Sequence, residues 1–182
     1  MSSRFAQLSA VLSLGLAAAC GGGGEAPKAA TASAASQPEP GKATPKIDAC
    51  SLLTAEEIQA AVGWKPVQTE PSTYGGTAVC NFYGPKGMSQ SVSLVVAPGM
   101  PTVASSTEMA QWRKKQTEGY GDIKFIIEPV EGLGVPAIRN EIGQVPGLAA
   151  IEAAVKGVLL DVTSSTLEEA KALAAKAIPR LP

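Results

Sequence analysis

The residues of this 182-residue chain that could do chemistry are three cysteines and a scatter of carboxylates, and histidine is absent. Without histidine the commonest general base is missing, along with every His-containing triad and metal cage. Gly87-Met88-Ser89-Gln90-Ser91 has the start of a nucleophile elbow. It lacks the second glycine and leads into a strand, where an elbow leads into a helix. Gly132-Leu133-Gly134-Val135-Pro136-Ala137 matches a G-x-G-x-x-A phosphate turn, but Pro136 and the lack of a following helix argue against it. Glu56-Glu57 and Glu168-Glu169 each fall in a first helical turn, where acids complete caps and favour the helix dipole. Asp122, Glu128 and Glu131 fall in expected loops or strand ends, and nothing in the sequence pairs them. No catalytic set, metal cage or cofactor is expected.

Cys20 has a different chemistry. It follows Leu16-Ala17-Ala18-Ala19 and precedes Gly21-Gly22-Gly23-Gly24, with Arg4 and an apolar run from Phe5 to Ala19 upstream. A charged start, a short apolar run and small residues before a cleavage point make an export signal. The layout is similar to a bacterial lipoprotein signal, in which the cysteine takes lipid and becomes the mature N-terminus. Ala17 stands where such signals usually have leucine. The three alanines also suit ordinary secretory cleavage, which would leave Cys20 a plain thiol. Multiple acyl chains anchor stably where one binds only marginally. If the cell is diderm, the resemblance to known sorting patterns, with Gly21 in place of Asp, implies the outer membrane facing the periplasm.

The expected organisation is a signal peptide at 1–19, a lipidated Cys20 with a disordered tether at 20–46, and one globular domain at 47–182. Gly, Ala, Ser, Thr, Pro, Gln, Lys and Glu fill the tether and leave little to bury. A flexible chain of that length has an end-to-end distance of roughly 25–30 Å. The domain has eleven Lys or Arg against fourteen Asp or Glu. Its one cationic cluster, Arg113-Lys114-Lys115, reads as a solvated helix face, so nucleic-acid binding has no electrostatic footprint. Beyond Cys20, Cys50 and Cys80 form an even pair in an exported domain and read as a disulfide. The alternative, a metal or redox pair, lacks both C-x-x-C spacing and histidine.

The elements that must position these residues are legible in outline. Thr54-Ala55-Glu56-Glu57 is a capping box with Leu53 and Ile58 as a hydrophobic staple, and it opens a helix to about Val62. Ser105-Ser106-Thr107-Glu108 opens a second helix through about Glu118, with Met109, Trp112 and Gln116 on one face. Thr166-Leu167-Glu168-Glu169 opens a third, with Leu167, Ala170, Leu173, Ala174 and Ile178 as its buried stripe. Ala78 to Tyr83 and Ser89 to Ala97 read as a hairpin around Gly84-Pro85-Lys86-Gly87. Ile123 to Glu128 is a weaker strand candidate and Pro136 to Glu141 a short one. Leu148 to Val155 and Val158 to Val162 pair across Lys156-Gly157, although the alanine-rich Leu148 to Val155 could also be helical. The expectation is an α+β fold in the order α-β-β-α-β-β-β-α, a mainly antiparallel sheet with helices packed on one face.

Asp48-Ala49-Cys50-Ser51-Leu52-Leu53-Thr54-Ala55-Glu56-Glu57-Ile58 resembles the opening of an uncharacterised domain family common in actinobacterial secreted lipoproteins. Cys80-Asn81-Phe82 is similar to that family's second cysteine before an aromatic. Val130 to Ala137 resembles its glycine turn, and the alanine-rich close near Leu181 also fits. The resemblance implies a lipid-anchored extracytoplasmic domain with its cysteines paired and a PsbP-like α/β sandwich. It implies no reaction.

The expected function is therefore a non-enzymatic binding or accessory module at the cell envelope, in contact with the membrane through its N-terminal lipid and with an envelope protein or a small apolar ligand as partner. A carrier or sensor of a small apolar ligand is one alternative, and a histidine-free hydrolase using two carboxylates is another. Among the aromatics Trp64, Tyr74, Trp112 and Tyr120, Tyr74 is the recognition candidate, because Pro71-Ser72-Thr73-Tyr74-Gly75-Gly76 reads as a flexible segment with no core pattern.

Overall fold

The alternation of Val92, Leu94 and Val96 belongs to β3 (Gly87–Pro98), the strand around which the sheet is arranged. A computed structural model describes residues 47–143 and 147–182; the signal and tether expected at 1–46 lie outside the described residues. The order is α1 (Ala55–Val62), β1 (Gln68–Tyr74), β2 (Thr77–Gly84), β3, α2 (Ser106–Thr117), β4 (Phe125–Val130), β5 (Ala137–Ile142), β6 (Ala149–Val155), β7 (Val158–Ser164) and α3 (Leu167–Ala177). Short 3-10 turns at Ala49–Leu52 and Ile178–Arg180 flank them. All seven strands lie in one open antiparallel sheet, ordered β1-β2-β3-β7-β6-β5-β4. The α+β class and antiparallel sheet are as expected.

The sheet has two strands more than the expected order. β1 is wholly exposed and polar, so it shows no alternation of burial. It forms because Gly75 and Gly76 both adopt positive φ, 55° and 83°, which makes a two-residue turn into β2. Tyr74, expected in a flexible loop, thus ends an edge strand. The other addition comes from counting β4 through β7 as four strands. The alanine-rich 149–155 is strand, closed by Lys156 and Gly157 at φ 49° and 83°.

All three helix starts are capped as read. Thr54 Oγ1 accepts from Glu57 N at 3.2 Å, and Glu57 Oε2 accepts from Thr54 N at 2.9 Å. Gly63 ends α1 in the left-handed region. Ser105 and Thr166 accept from Glu108 N and Glu169 N.

The expectation of helices on one face holds for α1 and α3 and fails for α2. Ala170, Leu173, Ala174 and Ala177 of α3 pack with Ile58 of α1 on a first face built from Leu94, Val96, Ile151, Ala153, Leu160 and Val162. Met109 and Ala110 of α2 pack with Met100, Ile127 and Ile138 in a separate cluster, flanked by Trp112, Phe125, Ala154 and Leu159. The register puts those strand residues on the opposite face. The physical reason is that β5, β6 and β7 carry apolar side chains on both faces at this end, so each face needs a cover. The chain supplies the second cover as it crosses from β3 to the far edge strand β4. Ser106 fixes the start of α2 there: its Oγ donates to Val130 O at 3.1 Å and accepts from Ala137 N at 3.2 Å.

The two ends of the domain are tied on the first face. Cys50 and Cys80 are bonded across a separation of 30 residues, joining the 3-10 turn before α1 to the middle of β2. Arg180 donates to both carboxylate oxygens of Glu57, each at 2.7 Å, and to Leu52 O at 2.8 Å. The Arg180 guanidinium, with the Thr54 N–H, holds the Glu57 carboxyl down at about 2.

Two outcomes follow. The double substitution C50A/C80A should lower the free energy of unfolding by about 3–4 kcal/mol, as expected for freeing a loop of this length, read by guanidinium titration. Because the folded pKa of Glu57 is depressed, its contribution is present above about 4.5 and is lost as pH falls through about 2. R180A should therefore lower the thermal midpoint most above pH 4.5. The deficit against wild type should shrink at each step down toward pH 2, and a deficit constant across that window would contradict the clamp.

Candidate binding pocket on the second sheet face

Side chains of the second face fall into rows set by the register. Val95, Asp161, Glu152 and Ile138 stand side by side across β3, β7, β6 and β5. Ser93, Thr163 and Ala150 form the next row, and Asn140 of β5 sits opposite Ile127 of β4. α2 covers the end made by β4 to β6. Toward β1 the same face carries Glu70, Asn81 and Ser93 in register, with Gln68, Tyr83 and Ser91 beside them. Among the described residues no helix packs over that half.

A pocket of about 210 Å³ opens on this face at the β5–β7 end, lined by Asn140, Glu141, Ile142, Leu148, Ala150 and Thr163. Its rim is apolar, and Ile142 and Leu148 remain 44% and 48% exposed. Phe125 stands opposite Ile142 in the ladder and meets Tyr120 edge-to-face at 5.8 Å. Exposed apolar groups thus gather at one corner of the sheet, where isolated ones would call for no explanation.

A charged cluster lies beside the pocket. Glu152 is buried, with 2% of its surface exposed. Its Oε2 accepts from Arg113 Nε at 2.7 Å and its Oε1 from Asn140 Nδ2 at 2.7 Å. Asp161, the cross-strand neighbour of Glu152, accepts from Thr163 Oγ1 at 3.0 Å. Burial pushes the Asp161 carboxyl up to about 6, and the Glu152 charge beside it adds to the rise; the Thr163 bond and Arg113 oppose it. Of the three polar residues lining the pocket, Asn140 and Thr163 are thus each held by one of two adjacent acids, and Glu141 pairs with Arg139. Asn140 Oδ1 is buried and has no hydrogen-bond partner among the described residues. Such an orphaned acceptor costs about 1–3 kcal/mol unless a donor reaches it.

This arrangement can bind and orient. Its acids are poorly placed for hydrolysis, since both Glu152 oxygens are engaged and buried. Glu128 and Glu141 both pair with Arg139, at 3.4 Å and 2.6 Å. Among the described residues no group of three or more Cys, Asp or Glu could hold a metal ion.

The residues singled out in the sequence lie elsewhere. The Cys50–Cys80 bond is on the first face, and Cys20 lies outside the described residues. Tyr74 is 88% exposed at the β1–β2 turn, away from the pocket lining. Trp64 packs on the first core, against Gly84, where an added Cβ would come within 2.8 Å of its ring. Ser89 lies in β3, and the Gly132–Gly134 turn leads into β5, so neither forms an elbow or a phosphate turn. Arg113, expected on a solvated face, instead turns inward to Glu152, and its guanidinium lies 5.0 Å from the Trp112 ring.

Glu152 and Asp161, the acids beside the pocket, were not singled out from the sequence. A signal was present: each is a lone acid in an apolar strand, and each stands four residues from the Lys156-Gly157 turn, which makes them partners in the hairpin.

The raised Asp161 pKa has a testable consequence. An acid favoured in its protonated form by folding gains stability as pH falls through about 6 toward 3.8. D161N should stabilise the protein at pH 7.5 by about 2 kcal/mol. It should also abolish the rise in stability that wild type shows between pH 7 and 5. A less stable D161N at pH 7.5 would show that the ionised form is the one the fold needs.

A family model described as "Protein of unknown function (DUF3558)" matches residues 15–177. No curated protein matches the chain.

Proposed function

The chain belongs to the DUF3558 family of proteins of unknown function, and we propose that residues 47–182 form a non-enzymatic binding or accessory module, held at the cell envelope by a lipid on Cys20. The observation that carries the binding role is the second sheet face: half of it has no cover among the described residues, and its β5–β7 end holds a pocket beside a buried acceptor, Asn140 Oδ1, without a partner among them. A sheet left open on one side is usual where that side meets solvent or a partner. Here it is continuous with exposed Ile142 and Leu148. The envelope address is supported by the export signal before Cys20 and by a disulfide suited to an oxidising compartment.

The second reading, a carrier or sensor of a small apolar ligand, is favoured by the same pocket. The hydrolase reading has less behind it, because the adjacent acids are the engaged Glu152 and its partner-bonded neighbour Asp161. Intact mass spectrometry of protein extracted from its own cells separates the two binding readings: a retained small molecule favours the carrier.

The anchor and the surface are tested separately. C20A should move the protein from the membrane pellet to the soluble fraction, and unchanged pelleting would rule out the lipid. N81R/S93R, on the open half of the face, should leave the thermal midpoint unchanged while removing cross-linked envelope partners seen with wild type. Identical cross-linking by both would place binding elsewhere.

A further inference from the structure

The sheet ends in two strands, β1 and β4, that have no outer neighbour among the described residues. An open edge templates pairing with another chain unless something blocks it. Pro71 stands in the middle of β1, where it guards that edge. β4 has its proline near its end, at 129, and leaves Phe125, Ile126 and Ile127 unbroken.

The inner bonds of β4 define what its outer side offers. At one end Lys124 O accepts from Gly143 N at 2.8 Å. At the other the Ser106 hydroxyl bridges Val130 O and Ala137 N. Backbone direction alternates along an antiparallel ladder, so Lys124, Ile126, Glu128 and Val130 turn their groups toward β5. Phe125, Ile127 and Pro129 turn theirs outward. Phe125 and Ile127 thus present both a donor and an acceptor, and Pro129 an acceptor alone.

We infer that β4 is an interface between two copies of this chain, paired antiparallel about a two-fold axis at Ile126. Phe125 then faces Ile127 of the second copy, and the two exchange N–H and C=O bonds, so no outward donor is left over. The side chains fit the same register. Lys124 and Glu128 share the first face, and this axis sets each beside the other's counterpart in the second copy. Both are exposed. Glu128 meets Arg139 of its own chain at 3.4 Å, while Arg139 is closer to Glu141, at 2.6 Å. On the second face exposed Ile123 falls opposite exposed Pro129 of the second copy. An axis at Phe125 or Ile127 breaks the charge match, and the latter also sets Pro129, which lacks an N–H, opposite Phe125. A two-fold contact of this kind is self-complementary and closes at a dimer. It is independent of the pocket and of any lipid on Cys20.

The test uses the full chain carrying C20A in sedimentation equilibrium from micromolar to millimolar concentration, where a monomer–dimer equilibrium is expected. K124E sets acid against acid across the axis and should weaken the dimer about ten-fold, and E128K should do the same with bases. The double substitution K124E/E128K restores opposite charges and should recover most of the loss, which two merely destabilising changes would not do. Amide exchange reads the backbone directly: the Phe125 and Ile127 N–H groups should slow as the dimer forms, while those of Gln68 to Tyr74 stay unchanged. A chain that is monomeric at the highest concentration overturns the inference. So does a dimer indifferent to all three charge variants, or one that protects β1 in place of β4.

Discussion

Burial of the β6–β7 hairpin on both faces is the constraint from which the architecture follows. Its first face, Ile151, Ala153, Leu160 and Val162, receives α3. Ala170, Ala174 and Ala177 on the helix and Ala149 and Ala153 on the strand are small enough for close approach. Its second face, with Ala154 and Leu159, receives the cluster that includes α2. Where that second face is buried, as at Glu152, a polar side chain needs a partner within the protein.

That requirement explains the cluster beside the pocket. Glu152 sits where an apolar residue would serve packing better, and it is tolerated because Arg113 and Asn140 occupy both of its oxygens. Burying such a pair is weak evidence for stability, whereas removing one partner leaves an uncompensated charge. Arg113 also ties α2 to β6, from the far side of the strand that α3 covers. Asp161 has only the Thr163 hydroxyl as a hydrogen-bond partner, and burial beside the Glu152 charge raises its pKa. A polar network incompletely satisfied at the edge of a pocket departs from an otherwise ordinary core.

Much of the local structure was legible. The three capped helix starts were read from Ser or Thr with a Glu three residues on, because that motif is decided within one turn of chain. The hairpins at 84–87 and 156–157 were read from turn residues for the same reason. β1 was not legible, since an edge strand exposed on both faces has no burial to imprint on its sequence. The position of α2 was not legible either: Met109 and Trp112 show that the helix has an apolar side but not which face of the sheet that side meets.

Local folding thus belongs to the sequence by itself: the separate cysteine pair, the caps and the turns, while the export-signal reading at Cys20 falls outside the described residues. Each depends on neighbours in the chain or on the chemistry of one residue type. Only the tertiary structure decided that Arg113 turns inward, that Asn140 and Thr163 line one pocket, and that each is held by a different acid. Those relations join positions between twelve and thirty-nine residues apart in most cases, among them the Asn140–Glu152 and Arg113–Glu152 bonds. They arise from strand register and from a crossover helix, which no local pattern records.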